Sequence, residues 1–258
     1  MKIAIAQTRP VKGELSANLK RHTQLIQLAA ANDADAIIFP ELSLTGYEPT
    51  LAKDLATHLN DRRLDALQSL SNDHQLTIGA GLPTQSDRGL CISLVLFQPH
   101  QPRRTYSKKY LHPDEMAFFV SGPNFPVLTI NHISVGLAIC YELSIPEHAA
   151  AAYEHGAQLY VASVAKTLDG VNRASQRLAA IAREYATPVL MANCVGPADN
   201  VESAGGSAVW NPAGKQLNQL NSTQEGLIVY DMSSGAITKQ IVNLSETDGQ
   251  DLLRALVN

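Results

Sequence analysis

The feature that most constrains this chain is a short apolar run ending on a residue able to do chemistry, and it occurs twice: Ala36-Ile37-Ile38-Phe39 stops at Pro40-Glu41, and Ile133 to Ile139 stops at Cys140. Runs of this length, bounded by turn residues, read as buried strands, so an acid and a thiol each sit at the carboxyl end of a strand. The strand signal returns at Lys2 to Ala6, Leu76 to Ala80, Cys91 to Phe97, Leu159 to Ala162 and Val189 to Ala192. Between these runs the period becomes helical. Leu15, Leu19, Leu25, Ile26 and Ala29 share a face, residues 53 to 72 read as helix, and Ala174, Leu178, Ile181 and Tyr185 form another stripe.

Just past Cys140, Ser144-Ile145-Pro146-Glu147 has the pattern of a capping box with proline in the first helical turn, which puts the thiol on a strand-to-helix turn. Later residues to about 231 read as short strands and turns, and from Gln240 the chain is polar and then weakly helical, a tail expected to pack on this or a neighbouring subunit. Strands and helices alternate without a linker-like or low-complexity break. The expectation is one α/β domain over residues 1–258, with the tail beginning at about 240.

Composition excludes several functions. Hydrophobic residues make up 45% and charged ones 17% of 258 residues, a balance that supports a substantial core and argues against disorder. The net charge is -4 and the basic residues fall in short doublets such as Arg62-Arg63 and Arg103-Arg104, so nucleic acid is not an expected partner. The apolar start is too short for a secretion signal or a membrane span, so no membrane association is expected either. Cys91, Cys140 and Cys194 are odd in number and widely spaced, with no CxxC pair, which predicts free thiols in a reducing, cytoplasmic setting.

A lone cysteine at the end of an apolar strand is more often inert core than nucleophile. Here Tyr141 and Glu142 come directly after it, so the thiol can face a cavity with the Tyr141 N–H aimed at the same point, as an oxyanion donor would be. A free thiol titrates near ~8.5 and needs a base or cation to attack at neutral pH. No histidine is an obvious partner: His132 lies in a strand region and His148 and His155 fall on the next helix. No HExxH or Cys/His metal spacing appears, and no GxSxG elbow. Glu41 remains as the candidate base, because the carboxyl ends of strands in an open α/β sheet converge on a common crevice. Tyr106-Ser107-Lys108-Lys109-Tyr110-Leu111 supplies a cation, although by itself it reads as a solvated basic turn.

Taken together, Phe39-Pro40-Glu41, Tyr106 to Leu111 and Gly136-Leu137-Ala138-Ile139-Cys140-Tyr141-Glu142 resemble, in order and spacing, the three signature motifs of the nitrilase-like carbon-nitrogen hydrolase family. Pro146-Glu147, Gly156-Ala157, Ala192-Asn193 and Gly205 to Trp210 extend the likeness over nearly the whole chain. The resemblance implies a four-layer α-β-β-α sandwich and a triad in which Glu41 is general base, Lys108 the cation and Cys140 the nucleophile. It selects Lys108 over Lys109, since the family lysine stands three residues before the leucine, here Leu111. Glu115 matches a second acid that the family uses beside the lysine, and Glu142 either orients neighbouring groups or pairs with a nearby base. The sequence departs from the commonest family wording at Lys109-Tyr110 and at Ala162-Ser163-Val164-Ala165, which touches substrate choice rather than the triad.

The activity that this resemblance implies is that of a cysteine-dependent hydrolase of non-peptide carbon-nitrogen bonds, a small-molecule amidase working through a thioester and needing no metal or organic cofactor. The substrate expected is an amide, ureido compound or nitrile. Alternatives are an acyl-transferring or amide-forming enzyme on the same triad, a nitrilase, and a non-catalytic thiol sensor. Lys166 and Arg173, after the Leu159 to Ser163 strand, are candidates for pairing with a substrate carboxylate or are solvated surface residues. The resemblance also implies a homodimer or higher homo-oligomer packed through helices, for which the Leu178 and Ile181 stripe is a candidate face unless it is buried within the monomer.

Overall fold

A computed structural model describes residues 1–242. Its first stretch forms β1 (Lys2–Gln7), α1 (Leu15–Ala31), β2 (Ala36–Ile38), α2 (Ala52–Leu55), α3 (Asp65–His74), β3 (Thr77–Ser86), β4 (Gly89–Phe97) and β5 (Arg104–Ser107). The middle supplies β6 (Leu128–Ile130), β7 (Ile133–Ile139), α4 (Pro146–Glu154), β8 (Leu159–Val164), α5 (Leu168–Tyr185), β9 (Val189–Asn193), β10 (Val195–Ala198), β11 (Val201–Ala204), β12 (Ala208–Trp210) and β13 (Gln216–Gln219). The chain then returns through β14 (Glu225–Asp231) and β15 (Ile237–Val242).

These strands form a seven-stranded sheet in the order β15-β14-β1-β2-β3-β4-β5, a six-stranded sheet in the order β13-β12-β9-β8-β7-β6, and the small ribbon β10-β11. Only the centres are parallel: β1-β2-β3 in one sheet and β7-β8-β9 in the other. Alternation along each central strand explains the layering, because successive side chains leave opposite faces. Ile3, Ile5 and Ile38 of the first sheet meet Leu137, Leu159 and Val161 of the second in one inner core. Ala4, Ala6 and Ile37 point outward beneath α1, where Leu25, Ile26 and Ala29 cover them. On the far side Ala138, Tyr160 and Ala162 pack beneath α4 and α5. The layers are therefore α-β-β-α.

Leu178 and Ile181 of α5 are fully buried in this outer core, so the stripe closes the monomer and is not a free face for a partner. Truncating Leu178 to alanine would cost about 2–5 kcal/mol, the usual loss for a large buried aliphatic. Three further expectations are corrected. Residues 53 to 72 are not one helix: the chain is helical at Ala52–Leu55 and again from Arg62, with a stretch between that pairs Thr57 with Thr84 near the end of β3. No side chain caps α4, although Pro146 does occupy its first turn. His132 lies in the β6-β7 turn with φ +67°, not in a strand. Of the tail expected from about 240, residues 240–242 form the end of β15, and the remainder lies outside the described residues. No helix among the described residues is long and apolar enough to cross a membrane.

Candidate active site

Glu41 and Cys140 leave the ends of β2 and β7, which belong to different sheets. The crevice is therefore formed between the facing layers of a sandwich, not along one open sheet as the sequence suggested. Two backbone features aim the groups. Cys140 has φ +45°, a left-handed conformation costly for a residue with a Cβ, and it turns the chain sharply from β7 into a 3-10 turn. Beside Glu41, Gly81 of β3 is irreplaceable on steric grounds: a Cβ there would lie 2.4 Å from the Pro40 oxygen and 2.5 Å from the Leu42 nitrogen. Ser163 of β8 ties the two sheets at this level, donating to the Phe39 carbonyl at 2.8 Å.

Lys108 follows β5 and is fully buried, whereas Lys109 is exposed. Its Nζ donates to Glu41 Oε1 at 2.8 Å and to Glu115 Oε1 at 2.6 Å. The two carboxylates are not equivalent. Glu115 also accepts the Tyr47 hydroxyl at 3.0 Å and the His112 N–H at 2.7 Å. Glu41 has the ammonium alone on Oε1, and its buried Oε2 has no partner at normal hydrogen-bonding distance. The thiol of Cys140 lies near enough to this carboxylate to bear on its pKa.

Burial raises the Glu41 pKa above the carboxylate norm, with Lys108 pulling the other way. Burial also pushes the Cys140 thiol up, as does Glu41, while the charges of Lys166 and Lys108 pull it down. For Lys108, desolvation favours the neutral amine, but Glu41, Cys140 and Glu115 outweigh it and keep the ammonium protonated well above the ordinary lysine range. The resting arrangement is thus a buried ammonium shared by two carboxyl groups, with the Glu41 Oε2 left without a partner.

Cys140 is half-buried and opens on a cavity of about 520 Å³, within the usual range for a small-ligand site. Tyr47, Glu115, Tyr141, Lys166 and Arg173 share its lining. Tyr141 N–H stands in the first turn of the 3-10 segment, where no intrahelical acceptor exists. Larger depressions of about 640 and 710 Å³ carry no cysteine, and one of them lies at the opposite ends of the strands, around Asp35 and His132. No cluster of His, Cys, Asp and Glu suited to a metal occurs among the described residues.

Glu142, whose role the sequence left open, is a buried structural fork. One oxygen accepts the Lys109 N–H at 2.7 Å; the other accepts the Ile139 N–H and the Tyr106 hydroxyl, both at 2.9 Å. Burial works to raise its pKa, but His148 and the Ile139 and Lys109 N–H groups prevail and lower it. His148 is held between Tyr106, at 2.7 Å, and Tyr160, at 2.9 Å, and so belongs to this network rather than to the thiol. Sequence reasoning missed Tyr47, Gly81 and the part played by Asn193. Asn193 accepts the Lys166 N–H at 2.9 Å and donates to the Lys166 carbonyl at 3.1 Å, fixing that lysine's backbone from both sides. Only Asn193 left a trace, as part of the Ala192-Asn193 motif.

The sequence profile for carbon-nitrogen hydrolase matches residues 2–241. An (R)-stereoselective amidase from Pseudomonas sp. is 29% identical over 222 residues, covering 84% of this chain and 80% of that one. A glutamine-dependent NAD(+) synthetase from Thermotoga maritima is 25% identical over 90% of this chain, which spans only 42% of that longer enzyme. Among solved structures, the amidase from Nesterenkonia sp. AN1 superimposes with a TM-score of 0.81 at 28% identity, covering 90% of each chain, as a cysteine-to-alanine mutant in complex with butyramide. A glutamate-to-glutamine mutant of the same amidase, TM-score 0.80 over the same coverage, shows covalent addition of the acetamide moiety of fluoroacetamide at the active-site cysteine. With a match along almost its whole described length, the chain belongs to the carbon-nitrogen hydrolase family.

Proposed function

We propose that the protein is an amidase for small-molecule amides in which Glu41, Lys108 and Cys140 carry the reaction. The observation behind this reading is the unpartnered, buried Glu41 Oε2 beside the Cys140 thiol. Leaving a buried acceptor unsatisfied costs about 1–3 kcal/mol, and here it leaves a basic lone pair ready for the thiol proton. Glu41 takes that proton as Sγ bonds to the amide carbon, and the carbonyl electrons move onto oxygen. Lys108 and the Tyr141 N–H stabilise the resulting oxyanion. Collapse of this intermediate breaks the C–N bond, protonated Glu41 delivers its proton to nitrogen, and ammonia or an amine leaves a thioester on Cys140. Glu41 next takes a proton from water as the oxygen adds to the thioester, and returns it to sulfur as the acid departs.

Glu115 steadies the ammonium, with Tyr47 and the His112 N–H steadying Glu115 in turn. Residues 1–258 act as one catalytic unit in this reading. A reducing, cytoplasmic setting suits an enzyme whose three cysteines are free and whose reaction needs one of them as a thiol. A homodimer or larger homo-oligomer would have to form through surface other than Leu178 and Ile181. Ammonia release from a panel of primary amides, ureido acids and nitriles tests the function: amides are expected to lead, and a panel in which only nitriles react would overturn the amidase reading.

A further inference from the structure

The cavity over Cys140 contains two cations that no acid in the described structure satisfies. Lys166 and Arg173 both line it, and neither forms an ion pair or a side-chain hydrogen bond among the described residues. Of the acids on the same lining, Glu115 is bound to Lys108, Asp114 faces His112 at 3.4 Å, and Asp199 pairs with neither Lys166 nor Arg173. Both cations are therefore left, among the described residues, to meet a charge that a ligand brings.

Lys166 is also held in place more firmly than a surface lysine requires. The Asn193 side chain grips its backbone N–H and carbonyl, and Ala204 N–H donates to the same carbonyl at 2.9 Å. A Cβ at position 170 would meet Lys166 Cβ at 3.2 Å and Cγ at 3.4 Å, so glycine there makes room for the lysine stem against α5. A backbone fixed in this way lowers the ordering cost of binding. Phe118 and Val201, large apolar side chains left 41% and 55% exposed, stand on the same lining and offer an aliphatic chain a surface to cover.

We propose that the substrate is an acidic amide: a carboxylate joined by a short aliphatic chain to the amide that Cys140 attacks, with Lys166 and Arg173 receiving the carboxylate. This rests on the amidase reading of Cys140. Arg173 suits a bidentate carboxylate contact, and Lys166 acts as a point charge between that end of the cavity and the thiol.

The test uses chain-matched primary amides: malonamate, succinamate and glutaramate against propionamide, butyramide and valeramide. In the intact enzyme, at least one acid should exceed its neutral partner in kcat/KM by tenfold or more. Lys166→Gln and Arg173→Gln should each cut that ratio at least tenfold, chiefly through KM, and Arg173→Glu should reverse it. Calorimetric binding of the same six compounds to Cys140→Ala gives a readout independent of turnover, and Cys140→Ala with Arg173→Gln should lose the preference for acids. Arg173 is exposed, so its replacement leaves the core intact. Hydrolysis of neutral amides with no preference for acids in either assay would sink the subsite and leave the amidase standing. Selective binding of the acids without ammonia release from any compound would do the opposite.

Discussion

Glu142 Oε1 accepts the backbone N–H of Lys109 at 2.7 Å, so the segment carrying the thiol is tied directly to the segment carrying the buried ammonium. Its other oxygen holds the Ile139 N–H and the Tyr106 hydroxyl. One carboxylate thus sets the spacing between Lys108 and Cys140, which come from different sheets. Replacing it with glutamine forces an amide NH₂ against at least one of these donors. Glu142→Gln should lose about 2–3 kcal/mol in urea unfolding and lower kcat more than it raises KM. Unchanged stability together with unchanged kcat would show that the fork does not position the site.

The three reacting groups should behave as a unit. Cys140→Ala and Glu41→Gln should each reduce kcat by on the order of a thousandfold or more, and the double variant should be scarcely worse than either alone. Lys108→Ala should differ in kind, because it leaves Glu41 and Glu115 buried without their shared cation. A loss of about 3–5 kcal/mol in stability is expected there, beside the loss of activity. Denaturant curves for the three variants, measured alongside ammonia release, separate the two effects.

Activity should fall in acid at a higher pH than an ordinary glutamate would set. Glu41 must be unprotonated to accept the thiol proton, and burial raises its pKa. Protonation on lowering the pH therefore removes the base early, placing the acid limb of kcat/KM above ~4.3, the usual glutamate value. An acid limb at or below the ordinary value would argue that another group is the base.

His22 should make folding sensitive to acid. It is buried against Phe39 with ring centroids 4.0 Å apart, and its ring nitrogens meet the Asn18 carbonyl at 2.7 Å and the Ser43 hydroxyl at 2.9 Å. Burial pushes its pKa down to about 4 from 6.5, against the pull of the Asn18 carbonyl. Above pH 6.5 neither folded nor unfolded chain holds this proton, so the full stability is present. As the pH falls toward about 4 only the unfolded chain binds it, and about 3 kcal/mol should be lost. Urea midpoints between pH 7.5 and 4 should show this slope in the native protein and a shallower one in His22→Gln.

Much of this site was legible because its groups sit where strands stop. Glu41 and Cys140 announce themselves as polar residues closing apolar runs, whereas Lys108 is set apart from Lys109 only by the resemblance to the family pattern, counted back from Leu111. The period-two alternation of Ile3, Ala4, Ile5 and Ala6 puts larger side chains inward and smaller ones beneath a helix, but it does not say which sheet faces which. Hence the single open crevice expected from Glu41 and Cys140 proved to lie between two sheets. The break at Ala56 to Asp61 escaped notice because the pairing of Thr57 with Thr84 is a tertiary contact that overrides local helix propensity. Gly81 was invisible for a similar reason: its constraint is the approach of the Pro40-Glu41 backbone from a neighbouring strand. Glu142 could be found beside the nucleophile, but its three donors come from distant segments and from the turn it closes.

The most direct measurement is the mass of the Cys140 peptide from the native enzyme, quenched in acid during turnover of a primary amide that it hydrolyses. An acyl group should be found on Cys140, adding the mass of the amide less ammonia, while Cys91 and Cys194 stay unmodified and the Glu41→Gln variant, lacking the base for the first step, carries far less of it. Rapid amide hydrolysis by folded Cys140→Ala, or acylation of a different residue, would contradict the account.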